Sequence, residues 1–150
     1  MSLEEKVMSL MKDAMKSKDE ATLRGLRAIK AEIIKAKTDP GANGAINEDT
    51  ELKLLQKLVK SRKDSLTIYE QQNRADLAAK EIEEIAVIEK FLPAQMSEEE
   101  VIAAVKEIIA QVGAAGPQDL GKVMGVASKQ LAGKAAGNVI SAAAKNLLTA

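Results

Sequence analysis

Cysteine, histidine and tryptophan are absent from the sequence, and Tyr69 and Phe91 are its only aromatic residues. Each absence removes a class of function. Without cysteine there is no disulfide framework, no thiolate nucleophile and no cysteine-based zinc or iron–sulfur site. Without histidine there is no Ser-His-Asp triad, no imidazole metal ligand and no ordinary general base at neutral pH. Two aromatics cannot form the stacking platform that grips single-stranded nucleic acid. Neither sign of charge prevails over the 150 residues, with 22 basic and 22 acidic side chains, so any attraction to nucleic acid must come from a local patch. No apolar run reaches the roughly 18–20 residues that span a bilayer. Met1-Ser2-Leu3-Glu4-Glu5-Lys6 lacks the charged and apolar regions of a signal peptide, so a cytoplasmic location is expected. What remains is carboxylate, lysine or backbone chemistry, or binding without chemistry.

Helical periodicity is present almost throughout, and no two-residue alternation is long enough to argue a strand. Leu3, Val7, Leu10, Met11 and Met15 define one face of a first helix. Ser17-Lys18-Asp19-Glu20 reads as a capping box, with Ser17 as N-cap of a second helix whose apolar face is Leu23, Leu26, Ile29, Ile33 and Ile34. After a loop at Asp39-Pro40-Gly41-Ala42-Asn43-Gly44, Asn47 caps a long third helix carrying Leu52, Leu55, Val59, Leu66 and Tyr69. Asn73-Arg74 marks a break before a fourth helix with Leu77, Ile82, Ile85, Ile88 and Leu92. Pro93 biases Leu92 away from helix, which makes residues 93–96 a candidate hinge. Ser97-Glu98-Glu99-Glu100 is a second capping box, opening a fifth helix that ends at Gly113. Two short helices follow, around Asp119–Leu131 and Gly137–Leu148. The expected fold is all-α, with a four-helix domain over residues 1–92 and a three-helix domain over residues 97–150.

Charge divides unevenly within the second part. From Gly116 onward there are four lysines (Lys122, Lys129, Lys134, Lys145) and one acid, Asp119, a net charge of +3. Gly116-Pro117-Gln118-Asp119-Leu120-Gly121-Lys122-Val123 matches G-x-x-x-x-G-K, yet Val123 replaces the hydroxyl that would hold Mg²⁺ and no strand precedes it. The structural reading is that Gly116-Pro117 opens a helix on which Gly121 and Gly125 allow another backbone, a neighbouring helix or a nucleic acid, to approach. Glu81, Glu83, Glu84 and Glu89 read as a solvated acidic face of the fourth helix rather than a metal cluster, because di-iron bundles pair their Glu with a His. Basic stripes at Arg24, Arg27 and Lys30, and at Lys60, Arg62 and Lys63, read as partners for that acidic helix, with phosphate contact as the alternative. The six methionines read as flexible gap-fillers in an aliphatic core.

Two stretches carry a resemblance. Arg62-Lys63-Asp64-Ser65, Tyr69, Asn73-Arg74-Ala75-Asp76-Leu77-Ala78, Glu81, Glu84 and Phe91-Leu92-Pro93-Ala94-Gln95-Met96-Ser97, together with the run Gly116 to Gly125, resemble the GatB/YqeY family. That family comprises small stand-alone proteins similar to the helical tail of the GatB component of the aspartyl/glutamyl-tRNA amidotransferase. The resemblance implies a two-domain helical fold cut near Leu92-Pro93. In the amidotransferase, ATP-dependent activation and glutamine-derived amidation belong to a large N-terminal cradle, to which nothing in this sequence is similar. The tail helps to hold tRNA. Carried onto this chain, the nucleic-acid-binding candidates are Gly121, Lys122, Gly125, Gly133 and Lys134, joined by Lys129 from the net-positive stretch.

The family commonly has Gly-Arg-Ala-Asp-Gly where this chain has Gly133-Lys134-Ala135-Ala136-Gly137. Lys134 keeps the charge without the planar fork of arginine, and Ala136 removes an acid suited to capping the last helix. The resemblance therefore implies weak or assisted tRNA binding, with a protein partner in tRNA amidation or translation as the alternative. The associated label, carbon–nitrogen ligase with glutamine as amido donor, finds no catalytic residue set here. No catalytic, metal or cofactor residue is assigned, and no membrane partner is expected.

Overall fold

The computed structural model describes residues 2–150. Among them are seven α-helices, one short 3-10 turn and no strand. The helices are α1 (Leu3–Ser17), α2 (Glu20–Lys37), α3 (Glu48–Gln71), α4 (Ala75–Glu89), α5 (Glu98–Val112), α6 (Leu120–Gln130) and α7 (Gly137–Thr149), with the 3-10 turn at Pro117–Asp119. The chain divides into two compact units, Met1–Leu92 and Pro93–Ala150.

In the first unit α2 packs on α1, α3 and α4, and α3 lies along α4. Its core is aliphatic: Val7, Leu26, Ile29, Ile33, Leu55 and Ile88 are all but fully buried. Burying each such side chain is worth about 1.5–3 kcal/mol, which is what holds helices whose own propensity is modest. The close crossing of α2 and α4 needs Gly25, where an added Cβ would lie 2.8 Å from Cβ of Val87.

Local chemistry sets the helix ends. Ser2 and Glu5 form a capping box at α1, as do Ser97 and Glu100 at α5. Asn47 caps α3 by accepting the Thr50 N–H at 2.8 Å. The start of α2 differs from the expected box. Its cap is Asp19, which accepts the Thr22 N–H at 3.2 Å, while Ser17 closes α1 and donates to the Ala14 carbonyl. Lys18 turns the chain between them in the left-handed region, at φ 58°. At the α3–α4 junction Asn73 takes φ 57°, and the Arg74 guanidinium forks onto Asp76 at 3.0 and 3.1 Å. That fork holds the Asp76 carboxyl down at about 2. The Asn73-Arg74-Ala75-Asp76 motif is thus a helix-joining device.

Several apolar positions assigned to the core lie outside it. Leu10, Met15, Ile34 and Ile82 are exposed, as is Met8, so two of the methionines are surface residues rather than gap-fillers. Periodicity marks an apolar stripe, and a stripe can be wider than the neighbour that covers it.

In the second unit α5, α6 and α7 pack pairwise around Val101, Val105, Ile108, Val123, Ala127 and Ala144. Gly113 ends α5 in the left-handed region, at φ 69°. Residues 93–96 fall in this unit. Met96 N–H donates to the Lys134 carbonyl at 2.9 Å, and Gln95 Nε2 donates to the Gly133 carbonyl at 2.7 Å.

Candidate nucleic-acid interface

The loop before α6 is not built to cradle phosphate. Gly116 and Pro117 open a 3-10 turn, and the Asp119 carboxylate accepts the Ala115 N–H at 2.8 Å, placing a negative group inside the loop. With no strand before it among the described residues, the G-x-x-x-x-G-K run is a helix-opening segment.

Helix α6 turns Val123 and Ala127 into the core. The opposite side carries Gly121, Lys122, Gly125, Ser128 and Lys129, all exposed. An added Cβ at Gly121 or Gly125 would meet nothing within 4 Å, so no neighbouring helix uses the space they leave. Neither glycine has a positive φ among the described residues. Glycine inside a helix costs roughly 0.5–1 kcal/mol relative to alanine, and here neither packing nor backbone conformation offsets it. The two lysines lie along one edge of this bare strip, seven residues apart, about 10 Å along the axis.

Of the other candidates, Lys134 is exposed and Gly133 is buried. Gly133 has φ 76°, shapes the turn after α6 and is buried, so it offers no surface of its own. The structure therefore gathers Gly121, Lys122, Gly125 and Lys129 on one helix face and leaves Gly133 out. Ser128 belongs to that face and was legible as the residue seven positions after Gly121. Gln95 carries no comparable signal, because its partner lies 38 positions away.

The charges of the first unit are arranged differently. Arg24 pairs with Glu83 at 2.7 Å, Arg62 with Glu84 at 3.5 Å and Lys63 with Glu89 at 3.5 Å, so α4 meets one basic position of the α2 stripe and two of the α3 stripe. Within that α3 stripe Arg62 is mostly buried against α4, whereas Lys60 and Lys63 each keep 59% side-chain exposure, Lys60 pairing within its own helix with Asp64 at 4.0 Å. The acidic helix is also less solvated than its pattern suggests. Glu84 and Arg62 retain only 16% and 20% side-chain exposure. Burial pushes the Glu81 carboxyl up, its neighbour Glu84 adds to that, and Arg62 opposes it. Arg62 Nε and Glu81 Oε2 are buried without a hydrogen-bond partner among the described residues. No group of three or more acidic residues there could hold a metal ion. In the second unit Lys122, Lys129 and Lys134 form no ion pair among the described residues.

These features define an all-helical protein with an aliphatic core in each of two units and, in the second, an uncovered basic helix face. The chain belongs to the Yqey-like protein family, whose family model matches residues 4–148. It is also 30% identical over 128 residues to Altered inheritance of mitochondria protein 41, mitochondrial, of Pyrenophora tritici-repentis (strain Pt-1C-BFP). That alignment covers 83% of this chain and 68% of the relative. No helix among the described residues is long and apolar enough to cross a membrane.

Proposed function

We propose that this chain is a tRNA-binding accessory module related to glutamine-dependent tRNA amidation, and that it holds RNA without catalysing amidation alone. The observation that carries the reading is the α6 face: two helical glycines in open space beside two lysines that form no ion pair among the described residues. A bare helix backbone lets a phosphate chain come close, and lysines on its flank supply sequence-independent attraction. The resemblance to the helical tail of the amidotransferase's GatB component supports the same location. Lys134 adds a third cation just past the helix. Three lysines without an arginine fork make the binding weak at physiological salt. The setting in this reading is the cytoplasm; the Pyrenophora relative carries "mitochondrial" in its name.

Mobility shift of the full chain with total tRNA at two salt concentrations tests the proposal. Affinity should fall by roughly 0.7–0.9 log units per log unit of salt for each phosphate neutralised, and Lys122→Ala with Lys134→Ala should weaken binding and flatten that slope. Absence of binding at low salt, or a double variant equal to wild type, contradicts it. Glutamine- and ATP-dependent amidation of misacylated tRNA by the purified chain is expected to be undetectable.

A second reading, a protein-docking module, is favoured by one observation. Between α5 and α7 lies a groove of about 490 Å³ lined by Met96, Ile102, Val139, Ala142 and Leu147 with Asn138 and Asn146 at hand, and Val139 is exposed. This reading takes over if tRNA does not bind.

A further inference from the structure

The turn that carries Lys134 is fixed from outside itself. Its own bonds are short-range: the Lys134 and Ala135 N–H groups both donate to the Leu131 carbonyl, at 3.0 and 3.4 Å. The carbonyls on either side of the Lys134 α-carbon are taken by the strap at residues 93–96. Gln95 Nε2 donates to the Gly133 carbonyl at 2.7 Å and to the Pro93 carbonyl at 2.8 Å, and the Met96 N–H donates to the Lys134 carbonyl at 2.9 Å. One carboxamide nitrogen has two hydrogens, so it can serve both carbonyls at once. At 2.7–2.8 Å both bonds are at the short end of the N–H···O range. A lysine side chain is long and flexible, so where its ammonium is offered depends on how firmly its backbone is held.

We propose that Gln95 is a positioning residue for RNA binding: by bridging Pro93 and Gly133 it locks the Gly133–Lys134 turn and fixes where the Lys134 ammonium emerges beyond α6. The inference rests on the tRNA-binding reading and adds to it a residue that touches no RNA.

The test is a salt series of equilibrium binding to total tRNA with the full chain, comparing wild type, Gln95→Ala, Gln95→Glu, Lys134→Ala and the Gln95→Ala/Lys134→Ala pair. Thermal unfolding of each variant is followed in parallel. Gln95→Ala should weaken binding about two- to tenfold, the range for losing one ordinary hydrogen bond. It should also lower the salt slope by about 0.7–0.9, the share of one phosphate. Gln95→Glu, whose carboxylate has no hydrogen for either carbonyl, should do at least as much. The paired variant should bind no more weakly than Lys134→Ala alone. A purely structural role would lower the unfolding temperature, leave the salt slope unchanged and add to the Lys134→Ala effect. An unchanged slope in Gln95→Ala, or an additive pair, overturns the assignment while leaving tRNA binding intact. Wild type that shows no tRNA binding at low salt overturns both.

Discussion

Each unit has glycine inside a helix, and the two sets answer to different neighbours. Gly25 of α2 lies against Val87 of α4, where a Cβ would sit 2.8 Å from a rigid carbon. At Gly121 and Gly125 of α6 a Cβ would meet no atom within 4 Å among the described residues. The same division holds for charge. The first unit commits Arg24, Arg62 and Lys63 to acids of α4, whereas Lys122, Lys129 and Lys134 of the second have no acidic partner among the described residues. Helix ends do not follow that division: Ser2, Asp19 and Asn47 cap α1, α2 and α3 but α4 has no side-chain cap, and Ser97 caps α5 while α6 and α7 begin without one. In the first unit, Gly25 and these three cations help to build the fold. In the second, Gly121, Gly125 and the three lysines are exposed.

The largest effect expected from breaking this comparison is at Gly25. Gly25→Ala must push α2 and α4 apart, and overpacking of this kind costs about 1–3 kcal/mol. Urea unfolding should show a lower midpoint. A midpoint equal to wild type would mean that the crossing yields easily and that Gly25 is no different from Gly121. Next comes the open end of α7. Ala136 has extended backbone at the N-cap and no side-chain bond. Ala136→Asp should therefore stabilise the chain by about 0.5–2 kcal/mol, read as a raised unfolding temperature. No gain would show that the helix end is already satisfied.

A smaller effect, with a definite pH dependence, is expected at Glu81. Its carboxyl is raised in the folded state, so the ionised form is disfavoured there relative to the unfolded chain. The stability linked to this group is fully present below the unfolded value of 4.5 and is lost as pH rises through the folded value. Glu81→Gln removes that loss. The variant should gain over wild type at about pH 7 and lose most of the advantage at about pH 4, measured by denaturant midpoints. An equal gain at both would place the effect in packing rather than ionisation.

What the sequence made legible was local. The caps at Asn47 and Ser97 and the left-handed close at Gly113 each depend on residues within one turn, and all are found where the pattern puts them. The cap of α2 shifted because Ser17 and Asp19 both present a capping oxygen ahead of a helix, and the place where α1 ends decides between them. The exposure of Leu10, Met15, Ile34 and Ile82 was not legible, since periodicity cannot say how much of a stripe a partner will cover. The burial of Glu84 and Arg62 depends on α3 and α4 lying side by side, a tertiary fact. At the candidate site the spacing of Gly121 and Gly125 was visible, but the emptiness around them was not. The bridge from Gln95 to Gly133 spans 38 positions and leaves no periodic trace.

The central claim is that Gly121 and Gly125 serve something outside the chain, and the variant Gly121→Ala/Gly125→Ala tests it most directly. Thermal unfolding and tRNA binding should move in opposite directions: stability up by roughly 0.5–1 kcal/mol per site, affinity down because the methyl groups hold the phosphate chain off the helix. A variant that is stabilised yet binds tRNA as wild type does, or one that loses stability, contradicts the account.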